Sequence, residues 1–258
     1  MNFSALLWRL GQLNQYWKCE FSEGWPAAEK EHLQAARIFS RHGSSIESVK
    51  EHLQILRSSS TSEIEIIDFG AVSGVAPQTG TSTGIHRKVD LNTMIATTAS
   101  SEKWGRMLLR IAQLKSGKIN LELGTNLGIG LRYLVTGSHF LNQWISIEGD
   151  PNTANLARNA FSDSQQVTLI TGRFSNVLPQ VLEENHDFGL VFIDGHHDGS
   201  STLKYADAIF GSMTSGGWMI LDDIRWSLSM KHAWEQVKTR PWVDRWVDLG
   251  KMGILVVK

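Results

Sequence analysis

Cysteine is almost absent from this 258-residue chain, with Cys19 standing alone. A lone thiol excludes an intramolecular disulfide, and nothing points to an oxidising compartment. An excess of one charge is missing as well. The 25 Lys and Arg residues against 26 Asp and Glu leave a formal net charge of −1. That balance gives no global field to draw in nucleic acid or an acidic membrane. Long apolar runs are also missing. Arg9 and Gln12 break up the early Leu6-Leu7-Trp8 group, so neither a signal peptide nor a bilayer-spanning helix is expected, and the cytoplasm is the expected compartment. What remains, 41% hydrophobic and 20% charged residues, is the make-up of an ordinary globular protein.

The organising stretch runs from Ile119 to Gly130, INLELGTNLGIG. Its apolar start reads as a short buried strand, and Leu131, Leu134 and Val135 continue it as a helix. The turn between them carries Gly124, Gly128 and Gly130. Glycine there permits backbone angles closed to other residues and lets a ligand approach the main chain. Free N–H groups at the start of the helix add an anion-friendly edge. This is the build of a nucleotide-handling crossover, although the spacing G-x-x-x-G-x-G is not the dinucleotide fingerprint. Trp144 to Glu148 forms a second strand ending in an acid, where a carboxylate can accept from both hydroxyls of a ribose.

Further strands are expected at Gln166 to Thr171, Phe188 to Asp194 and Trp218 to Asp222, with a closing antiparallel pair within Trp242 to Val257. Helices fall between them at Pro151 to Phe161, Ser201 to Phe210 and Met230 to Val237. This alternation predicts an α/β fold with a mostly parallel sheet and helices on both faces. Ligands bind beyond the carboxyl ends of such strands, where this chain puts Asp194, Asp222 and Asp223. Three carboxylates brought together repel unless a cation or a bound amine offsets them. A hard divalent ion suits such a set, and Asp222 hydrogen-bonded to a loop with no metal bound is the alternative.

These segments carry a resemblance. Glu122 to Gly128 looks like motif I of class I S-adenosylmethionine-dependent methyltransferases, and Ile147-Glu148-Gly149-Asp150 like their acidic second motif. Val191 to His197 resembles the fourth strand, Gly216 to Asp223 the fifth, and Thr98 to Leu109 the helix before motif I. The chain is most similar to the O-methyltransferase branch related to catechol and caffeoyl-CoA methyltransferases, over roughly residues 94–258. The resemblance implies a Rossmann-like seven-stranded sheet binding S-adenosylmethionine. Glu122, Gly124, Thr125 and Gly128 would shape the methionine end, Glu148 with Gly149 would hold the ribose, Phe174 could lie against the adenine, and Asp194 would face the cofactor. In the metal-dependent branch the positions of Asp194, Asp222 and Asp223 hold Mg²⁺ or a similar ion. Catechol-type enzymes place a lysine three positions after the strand-four aspartate. Here that position is His197, so the usual base is replaced, and His197 with Asp194 is the expected catalytic pair, with His196 or Asp198 as possible contributors.

Residues 1–90 look like an added segment. Helices are expected over 1–17 and 26–57, interrupted near His42, followed by a strand from Glu63 to Phe69 and a loop rich in Gly, Ser and Thr from Gly70 to Gly84. A short helix is expected from Val89 to Met94. His32, His42 and His52 recur every ten residues, which is no metal spacing on one helix, and read as surface or interface residues. Such additions commonly cover the acceptor pocket in the resembling branch, and the same helices would suit a homodimer. Five of the ten tryptophans fall between Trp218 and Trp246; most belong in the core, and Trp226 is the one expected at an acceptor pocket. The leading expectation is an O-methyltransferase for a small-molecule hydroxyl, with residues 91–258 as its domain. An NAD-dependent oxidoreductase, a metal-independent enzyme and a silent cofactor-binding protein are the alternatives. Neither a basic stripe nor an N-P-P-Y-type motif favours a nucleic-acid substrate.

Overall fold

The computed structural model describes residues 19–38, 45–59, 61–68, 84–98 and 101–258. The expected helix over 1–17, the break near His42 and nearly all of the Gly70 to Gly84 stretch lie outside the described residues. The N-terminal part contains β1 (Glu20–Phe21), α1 (Ala27–Ile38), α2 (Glu47–Arg57), β2 (Glu63–Asp68), β3 (Ile85–Asp90) and α3 (Leu91–Thr98). Strict alternation follows: α4 (Glu102–Lys115), β4 (Ile119–Leu123), α5 (Ile129–Gly137), β5 (Gln143–Glu148), α6 (Pro151–Ala160) and β6 (Val167–Thr171). The second half holds α7 (Phe174–Glu184), β7 (Phe188–Ile193), α8 (Gly199–Ile209), β8 (Met213–Leu221), α9 (Leu228–Val237), β9 (Val243–Asp248) and β10 (Gly253–Val257).

The main sheet runs β1-β9-β10-β8-β7-β4-β5-β6. Strands β4 to β8 run parallel to one another, and β10 lies antiparallel between β8 and β9. The strand order reverses between β4 and β7, which creates the crevice where open α/β sheets take ligands. Seven of these strands are those expected from the sequence, and β1 adds an eighth by pairing antiparallel with β9. Alternate residues of the central strands feed two cores. Leu190, Phe192, Trp218 and Ile220 pack with Leu108 of α4 and Leu131 of α5. Val191, Ile193, Met219 and Leu221 face the other way, towards α7, α8 and α9 through Leu178, Ala206 and Val237. Both faces of the parallel strands are therefore covered, as their uninterrupted apolar sequences require.

The N-terminal part shares the first of these cores, through Leu33, Val49, Leu56, Ile64 and Ile66. Two local expectations change. Val89 lies in β3 rather than in a helix, because β3 pairs antiparallel with β2 along its length, and α3 begins only at Leu91. The alternation of β2 explains its side of the pair: Ile64 and Ile66 are buried while Glu63 and Glu65 are exposed. His52, expected at a surface or an interface, is 1% exposed. Among the five late tryptophans, Trp218 and Trp234 are buried, while Trp226 is 49% exposed.

Candidate active site

Backbone hydrogen bonds stitch the carboxyl ends of neighbouring strands together. Gly124 N donates to Ile147 O at 3.0 Å, Asp194 N to Leu123 O at 2.8 Å, and Asp222 N to Ile193 O at 3.0 Å. The residues that follow β4, β5, β7 and β8 are thereby held side by side. A cleft of about 790 Å³ opens above them, and Glu122, Gly124, Thr125, Glu148, Gly149, Phe174, Asp194, His197, Asp222 and Asp223 all line it. Gly128 does not. Its φ of +75° caps α5, and a Cβ there would meet Phe161 at 2.8 Å and His52 at 3.2 Å, so it serves packing beneath the turn. Gly124 has φ +102°, and a Cβ would come within 2.0 Å of the Asp194 carbonyl oxygen. Its glycine is required by the neighbouring strand before any ligand arrives.

At one end of the cleft, Thr125, Ser146 and Glu122 form a short polar chain. Thr125 Oγ1 lies 2.5 Å from Ser146 Oγ, which donates to Glu122 Oε2 at 2.5 Å. Burial pushes the Glu122 carboxyl up to about 8, with the Ser146 hydrogen bond opposing the rise and Glu148 adding to it. Glu148 Oε2 accepts from Asn126 N at 2.6 Å, and its Oε1 accepts from Asp150 N at 2.9 Å. Burial raises this carboxyl too, against the pull of those N–H groups. The carboxylate is thus fixed in place, with lone pairs left on both oxygens for further donors. Asn126 Oδ1 is buried with no hydrogen-bond partner among the described residues, at a residue that lines the cleft. An orphaned acceptor beside an anchored carboxylate and a main chain without Cβ fits the polar end of a nucleoside-bearing cofactor. Phe174 lines the cleft but is 6% exposed, wedged edge-on against His196 and Tyr205.

At the other end the three aspartates meet, and a lysine is among them. Lys251 Nζ donates to Asp222 Oδ2 and lies 3.1 Å from Asp223 Oδ1. Burial opposes the ammonium charge, but Asp222, Asp223 and Asp194 outweigh it and raise the Lys251 pKa above its usual value. Burial, followed by repulsion from Asp222, raises the carboxyls of Asp194 and Asp223. Of the three carboxylates expected to hold a divalent ion, Asp222 and Asp223 are already engaged by a cation of the chain's own. The adjacent histidines diverge. His197 stands between the acids, with Nε2 3.9 Å from Asp194 Oδ1 and Nδ1 3.7 Å from Asp223 Oδ2, and its ring centroid is 5.9 Å from that of Trp226. His196 instead packs on Phe174 and Tyr205, its Nδ1 3.4 Å from the Tyr205 hydroxyl. Asp198 is used as the cap of α8, accepting from Ser201 N at 2.9 Å. Asn126, His196, His197 and Asp223 all have positive φ, between 42° and 64°. Non-glycine residues in that region store strain, which gathers here at the cleft.

Several residues of the cleft went unremarked in the sequence. Lys251 sits in the turn between β9 and β10, and only the strand register brings it to the acids. Ile66 and Ile67 of β2 also line the cleft. Their hairpin is docked by Ile67 N donating to Asp150 Oδ2 at 2.8 Å and Asn152 Nδ2 donating to Glu65 O at 2.6 Å. The N-terminal segment therefore walls the Glu148 end of the cleft. His52 supports the glycine turn from below, with Nε2 2.8 Å from Leu127 O. Its ten-residue spacing from the other histidines gave no sign of this.

The sheet order, the glycine turn and the acid that ends β5 make this a Rossmann-like α/β fold whose cleft lies where the strand order reverses. Residues 121–224 match the family model described as a methyltransferase domain. A Mycobacterium ulcerans protein named as a candidate O-methyltransferase is 28% identical over 137 residues, which is 52% of this chain and 58% of that protein. A similarly named Mycobacterium leprae protein is 33% identical over 94 residues, 35% of this chain and 41% of the relative. The chain thus spans about half the length of the curated relatives it matches. Among solved structures, an O-methyltransferase from Bacillus cereus in complex with SAH superposes with a TM-score of 0.60 at 17% identity, covering 91% of this chain and 98% of that one. The O-methyltransferase TomG from Streptomyces achromogenes, in complex with SAM, gives a TM-score of 0.60 at 14% identity, covering 91% of this chain and 100% of that one. At such identities the likeness is one of fold. No helix among the described residues is long and apolar enough to cross a membrane.

Proposed function

We propose that this chain transfers the methyl group of S-adenosylmethionine to a hydroxyl of a small molecule. The observation that carries the proposal is the single cleft joining the anchored Glu148 and the orphaned Asn126 acceptor to His197 and its flanking acids. Glu148 would accept from the ribose hydroxyls and Gly149 would let the nucleoside lie against the chain. Glu122, Gly124 and Thr125 would shape the methionine end, and Phe174 would offer a ring edge beside the adenine. Residues 1–90 would act as an accessory segment that walls the cleft, with residues 91–258 as the transferase domain.

Methyl transfer from a sulfonium is an in-line displacement. The acceptor oxygen forms the new C–O bond, the C–S bond breaks, and its electron pair returns to sulfur, leaving S-adenosylhomocysteine. What the protein must add is orientation and removal of the hydroxyl proton. His197 would take that proton on a ring nitrogen, and Asp194 and Asp223 would stabilise the imidazolium that results. Trp226, half exposed at the rim, offers an apolar face for an acceptor ring. No step is routed through a divalent ion, because two of its three expected ligands, Asp222 and Asp223, are engaged by Lys251. Calorimetric titration with S-adenosylmethionine and, separately, NAD⁺ tests the cofactor. Uptake of the first alone, followed by S-adenosylhomocysteine release with hydroxylated aromatic acceptors, is the expected result. Uptake of NAD⁺ alone would transfer the cleft to the oxidoreductase alternative.

A further inference from the structure

We propose that the Lys251 ammonium is a built-in cation, standing where Asp194, Asp222 and Asp223 would otherwise gather a divalent ion. The inference deepens the methyltransferase reading and rests on it for its catalytic meaning, though not for its geometry.

The argument begins with charge. The residues after β7 and β8 bring three carboxylates to one end of the cleft, and such a cluster needs a counter-ion. The fold supplies one covalently. β10 pairs antiparallel with β8, with Gly253 opposite Leu221. Continuing that register two residues sets Lys251 opposite Asp223. The turn that holds it is closed by Gly250 at φ +95° and by Leu249 N donating to Met252 O at 2.9 Å. It is fastened to the segment after β8, where Ile224 N donates to Lys251 O at 3.0 Å. Side chain and backbone of the same residue therefore grip both sides of Asp223. The side chain is 17% exposed, and the Asp222 carboxylate it meets is 2% exposed, so the pair is screened little by solvent.

A divalent ion and this ammonium compete for the same oxygens. Two unit charges on the metal would have to displace a tethered cation and then face its repulsion a few ångströms away. Lys251 is a positioning residue in this scheme. It holds Asp223 and Asp222 together, and so fixes the acids that flank His197.

Electron paramagnetic resonance of Mn²⁺ tests the idea without turnover, on the full chain with S-adenosylmethionine present. The wild type should leave Mn²⁺ free in solution, whereas Lys251→Ala should take up one Mn²⁺ at least tenfold more tightly. Adding Asp222→Asn to that variant should remove the gain. Uptake of one Mn²⁺ by the wild type as tight as by Lys251→Ala would overturn the proposal. So would failure of Lys251→Ala, folded and binding the cofactor, to gain any. Lys251→Gln, nearly the same in shape but uncharged, is measured beside it in thermal melts. A rise in melting temperature with Mn²⁺ that exceeds the wild type's supports the proposal if the alanine variant does not fold alone, and no such rise counts against it. Cofactor titration of the wild type stands apart: its failure removes the methyltransferase reading and leaves the Mn²⁺ comparison intact.

Discussion

His52 gives a prediction whose size follows from the structure. Its Nε2 lies 2.8 Å from Leu127 O, so Nε2 carries the proton and donates, and Nδ1 accepts from Arg132 Nε at 3.3 Å. A second proton would have to go on Nδ1, facing a guanidinium in a buried site. Burial lowers the pKa from 6.5 to about 4, with the Leu127 hydrogen bond opposing and Arg132 adding to the shift. Because the folded value is depressed, the unfolded chain takes up a proton that the folded chain refuses. The stability involved is fully present above pH 6.5 and is lost as pH falls towards 4. In total that is about 3 kcal/mol, of which about 2 kcal/mol falls between pH 7 and pH 5. Glu122 works in the other direction, since its carboxyl is raised from 4.5 to about 8 and its contribution is lost as pH rises through that range. The wild-type pH curve therefore mixes two opposed effects, and a comparison separates them. His52→Gln keeps a donor for Leu127 O and removes the titration. Urea denaturation of both proteins at pH 7 and pH 5 should show the wild type losing about 2 kcal/mol relative to the variant on acidification. A difference unchanged within about 0.5 kcal/mol would refute the assignment of a buried neutral imidazole beneath the glycine turn.

The glycines of the turn should separate under substitution. Gly124→Ala places a Cβ 2.0 Å from a backbone oxygen at a left-handed φ and should cost roughly 3 kcal/mol or more in urea denaturation. Gly130→Ala meets nothing closer than Glu122 Oε1 at 3.6 Å and should be neutral or stabilising by up to about 1 kcal/mol. Glu148→Gln replaces one acceptor with an NH₂ that faces a backbone N–H, at Asn126 or at Asp150; calorimetry should show S-adenosylmethionine binding weakened about 10- to 100-fold. His197→Gln should lower kcat by about 100-fold or more while leaving that affinity unchanged, and equal loss of both would remove its role as base.

Much of this site was legible because of how parallel strands end. When β4, β5, β7 and β8 run the same way, the residue after each falls at one edge of the sheet. Gly124, Glu148, Asp194 and Asp222 could therefore be gathered from their strands alone, without distances. The elements that escaped are those whose place depends on partners. β1 has only two residues, too few to show a period, and it exists because the edge of β9 is free to pair. β3 carries His86, Arg87 and Lys88, which give no apolar alternation, and it is a strand through its ladder with β2. Gly128 sits in the motif but supports Phe161 and His52, because the turn has an inner side as well as an outer one.

The aspartate cluster shows where legibility stops. Its electrostatic requirement was readable: three acids at neighbouring strand ends demand a positive charge. Which charge was not, since a divalent ion and an amine answer the same need. The choice lies in the antiparallel register of β10, which carries Lys251 to Asp223 from 28 positions further along the chain. Moving that register by a single residue would turn the lysine to the opposite face of the sheet and leave the acids uncompensated. The cation at this site is thus set by strand pairing as much as by the acids themselves.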